Sequence, residues 1–307
     1  MPDTSIPHIF GGKWTQKKLD VIRKYFKAYF KVMNKQKFKL IYIDAFAGTG
    51  SRFSSIIEDH QTELFKDEQR DADSGEDAKT GFFDGSAMIA IKLENPFHNY
   101  YFIEKDKTRM KELEKNIKNF GEEGLNISYE CEDANQVLEK IVKRQNWKET
   151  RGIIFLDPYG VSVDFDTIST IAEISNLDIW CLFPIGTIRR LLARNYDKVI
   201  QKNKDKLNKF FGTKNWINEF YNDDNQMKLF NSNNTSHREA DKEYITNYYI
   251  NRLRTVFSYV LDDVLFLENS KKSKLYALIF AMSCKNKRAH DIGGRIASHL
   301  IKDASKV

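Results

Sequence analysis

The hydrophobic pattern of this chain alternates between two periods. Short apolar runs are typical of buried strands, whereas apolar residues three or four positions apart are typical of helices that bury one face. Five such runs alternate with helical segments, which predicts a doubly wound, mostly parallel α/β sheet. The predicted strands are 41–44, 100–103, 127–131, 152–156 and 179–183, and the predicted helices are 15–36, 137–142, 167–175 and two that begin at Ser86 and Asp106.

The alternation ends at Pro184. Segment 185–258 is predicted to form helices and loops, and it begins with the basic run T-I-R-R-L-L-A-R. Two further strand patterns, 259–267 and 275–283, are joined by a link so short that the strands must be antiparallel. We therefore expect one domain over 1–307, in which 15–36 is an amphipathic helix before the first strand and 185–258 is a helical, basic insertion.

The first predicted strand leads into a glycine loop. The segment I-Y-I-D-A-F-A-G-T-G at 41–50 reaches Asp44 and then places Gly48 and Gly50 one residue apart. Glycine permits positive φ and close approach of a ligand, and such a loop at the carboxyl edge of a parallel sheet is typical of sites for nucleotide-like ligands. The next helix is delayed to Ser86, its predicted N-cap, so we interpret 51–82 as an acidic insertion that acts as a lid.

Charge is distributed unevenly along the chain. The net charge is +6, but residues 58–80 hold nine acidic and three basic side chains, whereas residues 189–214 hold nine basic and two acidic ones. Such basic clustering is typical of a surface that contacts nucleic acid, and it suits 185–258 to target recognition, with Arg189, Arg190 and Arg194 as candidate contacts. A solvated helix face has the same composition, and this alternative stays open at this point.

Cysteine spacing and hydrophobic length limit the remaining site types. Cys131, Cys181 and Cys284 lie far apart without a C-x-x-C pair, so the spacing indicates neither a zinc site nor disulfides, and no metal is predicted. No run of about 18 apolar residues occurs, and the first residues lack a basic-then-apolar leader. We therefore expect a cytoplasmic protein with no membrane segment.

Each of the first four predicted strands is followed by a carboxylate, namely Asp44, Glu104, Asp133 and Asp157. Parallel strands deliver their carboxyl ends to one edge of a sheet, so these side chains should line one crevice. Such a crevice would repel a phosphate-rich ligand, and the loop also lacks the Lys-Ser/Thr pair of a phosphate-binding P-loop. A positively charged adenosyl ligand suits the four acidic groups better.

The segment D-A-F-A-G-T-G at 44–50 resembles the first motif of class I S-adenosylmethionine-dependent methyltransferases, especially the D-P-F-A-G-S-G form of amino-methyltransferases that act on DNA and RNA bases. The resemblance implies a Rossmann-like fold and S-adenosyl-L-methionine as cosubstrate. It implies a ribose contact for Glu104 in Y-F-I-E-K-D and an adenine contact for Asp133 in E-D-A-N. The cosubstrate-binding residues that it implies are Asp44, Phe46, Gly48, Gly50, Glu104 and Asp133.

A fourth motif indicates the acceptor. F-L-D-P-Y-G at 155–160 is similar to the D-P-P-Y motif of adenine-N6 and cytosine-N4 methyltransferases, with one proline where that motif has two, and to a D-P-F/Y-G version in tRNA guanine-N2 methyltransferases. Both groups methylate an exocyclic amine, whose lone pair is delocalised into the ring. Asp157 and the Pro158 carbonyl would accept the amine hydrogens, and Tyr159 would stack on the base. An ordinary turn with a packed tyrosine has the same sequence.

A wider likeness covers nearly the whole chain. K-W-T-Q-K-K-L at 13–19, L-D-P-Y-G and L-Y-A-L-I-F-A-M-S at 275–283 resemble the three-Cys-motif partner protein family (TcmP), whose bacterial members resemble methyltransferases and accompany a three-cysteine-motif protein. The expected function is S-adenosylmethionine-dependent methylation of an exocyclic amino group on a nucleic-acid base, adenine N6-like or guanine N2-like. The alternatives are a non-catalytic partner of a three-Cys-motif protein, in a bacterial defence or nucleic-acid processing system, and a nuclease that binds Mg²⁺ through the carboxylates.

Overall fold

The computed structural model describes residues 13–54, 81–221 and 240–306. The strands are β1 (Lys39–Asp44), β2 (Ser51–Ser54), β3 (Gly81–Asp84), β4 (Asn99–Ile103), β5 (Ile127–Glu130), β6 (Thr150–Leu156), β7 (Leu177–Phe183), β8 (Tyr259–Val260), β9 (Leu265–Glu268) and β10 (Lys274–Met282). The α-helices are α1 (Lys13–Met33), α2 (Ser86–Ile91), α3 (Lys107–Phe120), α4 (Ala134–Arg144), α5 (Phe165–Ile174), α6 (Ile185–Leu191), α7 (Gln201–Phe211), α8 (Trp216–Phe220), α9 (Lys242–Arg254) and α10 (Lys287–Ser305), and Tyr196–Lys198 is a short 3₁₀ helix.

The central sheet has eight strands in the order β5, β4, β1, β6, β7, β10, β8, and β9 also pairs with β10. Strands β1, β4, β5, β6 and β7 are parallel, whereas β10 is antiparallel to β7, β8 and β9. The chain runs outward from β1 through β4 to β5 and then crosses to the other side of β1 for β6. The crevice at this reversal is where such sheets bind ligands. The predicted Rossmann-like sheet with a terminal antiparallel pair is confirmed.

Helices bury both faces of the sheet. Alternate residues of β1 belong to different cores, with Leu40 and Tyr42 on one side and Ile41 and Ile43 on the other. Helices α1, α2, α3 and α10 cover the first side, and α4 to α9 cover the second. Because strands buried on both faces need apolar residues at every position, they appear in the sequence as continuous apolar runs. Helix α1 covers most of the segment 15–36 that was predicted to be an amphipathic helix, but it begins two residues earlier and ends at Met33.

The structure differs from the sequence predictions at three places. Gly85 is the N-cap of α2, whereas Ser86 is its first helical residue and hydrogen-bonds Asp44 instead of capping. The strand predicted at 259–267 is two short strands, β8 and β9, separated by 261–264. Helix α10 has no counterpart among the predictions, because glycines interrupt its apolar stripe. One of them, Gly293, lets the helix approach Met282, whose sulfur would lie 3.0 Å from a Cβ at that position.

The two predicted insertions are described in part. The ends of 51–82 form the antiparallel pair β2 and β3. Residues 55–80, on which the lid prediction depends, lie outside the described residues. The described parts of 185–258 are helical, as predicted, and residues 222–239 again lie outside the described residues.

Candidate active site

The loop after β1 depends on its two glycines for different reasons. Gly48 and Gly50 have φ values of +59° and +73°, which residues with a side chain rarely adopt. A Cβ on Gly50 would lie 2.6 Å from Leu113 Cδ1 of α3, so this glycine is required by packing. A Cβ on Gly48 would meet no described atom within 4 Å. Gly48 therefore faces space that no described residue fills, at the ligand edge of the sheet.

Glu104 holds this loop from the neighbouring strand. The side chain follows β4 and is 6% exposed. Its Oε2 accepts a hydrogen bond from the Gly48 amide at 3.2 Å, and its Oε1 accepts one from the Asp106 amide at 2.9 Å. The carboxylate thus lies directly beside the open side of the glycine loop, with further lone pairs for a ligand.

Asp133 is the N-cap of α4 and sits at the end of the next strand along. Its Oδ1 accepts hydrogen bonds from the Asn135 amide (3.0 Å) and side chain (3.1 Å), and its Oδ2 lies 3.3 Å from Lys105 Nζ. Partial burial raises the pKa of Asp133, but the hydrogen bonds from Asn135 and Lys105 outweigh that effect and hold the pKa below its ordinary value. The side chain therefore stays ionised at neutral pH.

Asp44 does not line the crevice, which corrects the prediction that all four carboxylates do so. The side chain is fully buried, and its Oδ2 accepts a hydrogen bond from Tyr42 Oη at 3.0 Å. Burial raises the pKa of Asp44 to about 6, although hydrogen bonds from Ser86 and Tyr42 oppose the shift. Asp44 therefore supports the glycine loop from beneath, where its Oδ1 also accepts a long hydrogen bond (3.4 Å) from the amide of Phe46.

Asp157 follows β6 and forms an ion pair with Lys18 of α1. Lys18 is 4% exposed, and its Nζ donates to Asp157 Oδ2. The side chain of Asp157 is 25% exposed, so solvent reaches its carboxylate. Sequence reasoning missed Lys18, although one signal was present: it lies one helical turn before the buried Ile22, on the apolar stripe of α1.

The remaining residues of the D-P-Y motif have distinct surroundings. Pro158 is buried, whereas Tyr159 is 38% exposed. The guanidinium of Arg109, from the first turn of α3, lies 5.0 Å from the centre of the Tyr159 ring. This cation–π contact joins the start of α3 to the loop after β6 across the end of β1. Phe46, also predicted to bind the cosubstrate, is partly buried and packs against the core on the second side.

The candidate nucleic-acid contacts lie at or just after the end of α6. Arg190 and Arg194 are exposed, and Arg189 is partly buried. Arg189 also lines a surface pocket of about 290 Å³ together with three lysines and two carboxylates, namely Lys242, Lys272, Lys274, Asp241 and Glu243, of which Lys274 and Glu243 form an ion pair. The basic segment is thus joined by lysines from α9 and the β9–β10 turn, which the linear sequence did not indicate.

The described ranges contain neither a grouped set of metal ligands nor a helix that could span a membrane. Across 13–54, 81–221 and 240–306, no three His, Cys, Asp or Glu side chains are grouped so as to hold a metal ion. Cys181 and Cys284 are buried free thiols, and Cys131 is partly buried. No helix in these ranges is long and apolar enough to cross a membrane.

No family model and no curated protein sequence matches this chain. Among solved structures, protein LPL1258 from Legionella pneumophila, described with the family model DUF519, is 12% identical, covers 93% of this chain and 92% of its own, and has a TM-score of 0.50. Trm1 from Pyrococcus horikoshii in complex with S-adenosyl-L-methionine is 12% identical, with 98% of this chain and 61% of that chain covered and a TM-score of 0.46. The putative methyltransferase yhhF from Escherichia coli is 14% identical, with 61% and 76% covered and a TM-score of 0.32.

At 12% identity, the likeness to the Legionella protein shows a shared fold alone. The TM-scores of the other two structures are below 0.5, so nothing about this chain is inferred from them. The resemblance to the three-Cys-motif partner family therefore stays a prediction, whereas the α/β fold class is confirmed.

Proposed function

We propose that this protein is an S-adenosylmethionine-dependent methyltransferase that acts on an exocyclic amino group of a nucleic-acid base, adenine N6-like or guanine N2-like. The observation that carries the proposal is the position of Asp157. It comes two residues after Phe155, which pairs with Asp44 at the end of the neighbouring strand β1. The D-P-Y motif and the glycine loop thus leave the sheet side by side, so one crevice can hold a cosubstrate and an acceptor amine together.

The residues of the crevice fit S-adenosyl-L-methionine, which when bound supplies an electrophilic methyl group on a sulfonium centre. The open side of Gly48 provides room for close approach to the backbone. Glu104 keeps lone pairs for ribose hydroxyls after bonding two amides. Asp133, whose pKa is lowered, is an ionised acceptor for an adenine amino group. In this proposal Asp44 and Phe46 support the loop, together with Gly50.

Methyl transfer to an aromatic amine needs alignment and exclusion of water more than it needs a strong base. In the proposed mechanism Asp157 accepts one amine hydrogen and the Pro158 carbonyl accepts the other, which localises the lone pair on the nitrogen. Asp157 then takes the proton that the amine loses. Tyr159 offers an aromatic face to the base, and because Arg109 covers one face of its ring, the base uses the other face or displaces Arg109.

The acceptor in this proposal is part of RNA or DNA. Arg189, Arg190 and Arg194 would contact phosphates, and Lys242 and Lys272 at the 290 Å³ pocket add positive charge beside them, partly offset there by Asp241. An acceptor base within a duplex would have to be flipped out of the stack to reach Asp157. A cytoplasmic location and a three-Cys-motif partner belong to the same proposal.

The cosubstrate claim is tested by calorimetry with S-adenosyl-L-methionine. We expect Gly48→Ala to weaken binding at least about tenfold, because the new Cβ and the changed loop conformation intrude on the ligand. Gly124→Ala is the matched control: Gly124 also has positive φ (+79°) and no described atom within 4 Å of a Cβ, but it lies before β5, away from the crevice. Absence of binding to wild-type protein rejects the cosubstrate.

The reaction is tested by transfer of labelled methyl groups to separated RNA and DNA pools, with wild-type protein and Asp157→Ala. We expect label in one pool and its loss in the variant. A non-catalytic partner protein is the second candidate, and the ion pair of Asp157 with Lys18 favours it, because a neutralised carboxylate is a weaker acceptor for amine hydrogens. Cosubstrate binding without any labelled product would select that candidate. Each of the four carboxylates hydrogen-bonds a different set of groups, whereas a Mg²⁺ site needs several carboxylates directed at one ion. This arrangement does not favour the magnesium-dependent nuclease.

A further inference from the structure

We propose that Lys18 and Asp157 form a donor–acceptor pair that recognises the edge of the acceptor heterocycle. This inference rests on the proposed function and adds a chemical class to it. The acceptor would be a planar ring whose exocyclic amine is adjacent to a ring nitrogen with a free lone pair, as in adenine (N6 and N1), cytosine (N4 and N3) and guanine (N2 and N3). Amines without such a neighbour, including those of proteins, do not fit.

The first step is that the pair is built into the fold. Lysine is rarely buried unless it is paired, and Lys18 is 4% exposed with its Nζ on Asp157 Oδ2. The ammonium group also lies 5.3 Å from the Trp14 ring centre and 6.0 Å from the Phe155 ring centre. These contacts hold the amino group of an α1 residue at the end of β6, beside the motif to which the acceptor amine is assigned.

Lys18 and Asp157 keep hydrogen-bonding capacity that their ion pair does not use. An ammonium group has three N–H donors, and a carboxylate has several lone pairs. Among the described residues, the ammonium and the carboxylate make one side-chain hydrogen bond, the one that joins Lys18 Nζ to Asp157 Oδ2. Lys18 thus keeps further N–H donors beside the Oδ1 of Asp157. The Asp157 side chain is 25% exposed and the Lys18 side chain is 6% exposed, so a ligand reaches the carboxylate first and the ammonium lies behind it.

The third step is complementarity. An aminopyrimidine or aminopurine edge presents an N–H donor next to a ring-nitrogen acceptor. Asp157 matches the amine, and Lys18 matches the ring nitrogen. Beside Lys18, Trp14 stacks on Tyr276 with ring centres 4.8 Å apart and an angle of 27°, so a flat aromatic wall adjoins the pair. No covalent step is assigned to Lys18; it orients the ring, and the proton of the amine still goes to Asp157.

The simpler alternative is that the ion pair only anchors α1 on the sheet. The two explanations differ in how Lys18 responds to the ligand. We would measure kcat/KM for methyl transfer to single-stranded oligonucleotides that contain adenine, cytosine or guanine. The matched substrates contain 1-deazaadenine, 3-deazacytosine or 3-deazaguanine, in which CH replaces the ring nitrogen next to the amine. Each oligonucleotide is tested with wild-type protein, Lys18→Met and Lys18→Arg.

For the base that wild-type protein methylates, we expect the deaza analogue to lower kcat/KM at least about tenfold, because a hydrogen bond to a charged group is lost. In Lys18→Met the natural base should already be slow, and the deaza substitution should add little. Lys18→Arg keeps N–H donors and should restore part of the preference. Lys27→Met, an exposed lysine on the same helix, is the control and should behave as wild type. Equal deaza effects in wild type and Lys18→Met would overturn the proposal.

A second measurement does not depend on activity. Thermal unfolding of Lys18→Met, Asp157→Asn and the double variant tests the ion pair itself. Asp157→Asn leaves the buried ammonium of Lys18 unpaired, so the double variant should unfold at a higher temperature than Asp157→Asn. Additive losses would overturn the pair. If thermal unfolding shows the coupling between Lys18 and Asp157 but wild-type protein methylates no oligonucleotide, the proposed reaction is rejected, and with it the recognition of the acceptor by Lys18. The ion pair then only anchors α1 on the sheet.

Discussion

Burial of Asp178 makes the folding stability of this protein depend on pH, and the substitution Asp178→Asn tests this dependence. The residue is near the start of β7, at the end of the sheet away from the crevice, and its Oδ2 accepts a hydrogen bond from Tyr25 Oη of α1 at 2.7 Å. Burial raises the pKa of Asp178 to about 7, and the Tyr25 hydrogen bond and the charge of Arg151 offset the shift only in part. Tyr29 and Cys284 also face this carboxyl group, and its charge contributes to the upward shift of the pKa of both, in which burial is the largest cause.

The sign of the effect follows from proton binding. The folded protein holds the proton of Asp178 more tightly than the unfolded chain does, so its contribution to stability is fully present below about pH 4 and is lost as the pH rises through about 7. A folded pKa of about 7 against an ordinary value of 3.8 corresponds to roughly 4 kcal/mol.

Asp178→Asn removes this dependence. Asparagine has the shape of the protonated acid, can accept from Tyr25 and cannot ionise, so the variant should have nearly the stability of wild type near pH 4 and should exceed it by up to about 4 kcal/mol at pH 8. The assay is urea unfolding of both proteins from pH 4.5 to 8.5, with Asp205→Asn on the exposed surface of α7 as control. A difference in unfolding free energy that stays constant over this range would refute the reasoning.

Three further predictions concern the crevice and the basic surface. Gly50→Ala should lower stability by about 2 kcal/mol, because its Cβ would lie 2.6 Å from a methyl carbon of a leucine on α3; thermal unfolding measures this loss. Asn135→Ala should cost about 1–3 kcal/mol in urea unfolding, because its side chain hydrogen-bonds two backbone atoms of the loop after β6 at 2.9 and 3.0 Å. Reversing the charges of Arg189 and Arg190 should weaken nucleic-acid binding and reduce its salt dependence in filter-binding assays, whereas the same reversal at 287–288 on the opposite edge should not.

The sheet and the position of the crevice were predictable because both follow from short-range patterns. Strands buried on two faces appear as apolar runs, and a parallel sheet gathers the residues that follow those runs at one edge. The inward position of Asp44 was also readable, since it lies two residues after Tyr42 and therefore faces the same side of the strand. The buried position of Asp44 was not predicted because we expected every carboxylate at the end of a strand to face the ligand.

The contacts that complete the site were not predictable, because they join distant parts of the chain. Lys18 and Asp157 are separated by 139 positions, and no local period connects them. Arg109 reaches Tyr159 across the end of β1, and the lysines beside Arg189 come from α9 and the β9–β10 turn. Helix α10 escaped prediction for the opposite reason: its pattern is local, but small residues replace the large apolar ones that normally reveal a helix.

These contacts change the electrostatic argument for the ligand. Four unpaired carboxylates would make the crevice strongly negative, and a nucleic acid would be repelled by the site that is proposed to methylate it. In the structure Lys18 neutralises Asp157, Lys105 pairs with Asp133, and the pKa of the buried Asp44 is raised to about 6. Asp44 and Glu104 are the two members of the series without a cationic partner among the described residues; Asp44 is buried beneath the glycine loop, and Glu104 holds Gly48. The negative charge that remains is therefore concentrated at the glycine loop, where the sulfonium of the proposed cosubstrate would benefit from it, and it is reduced at Asp157, where the proposed polyanionic acceptor would approach.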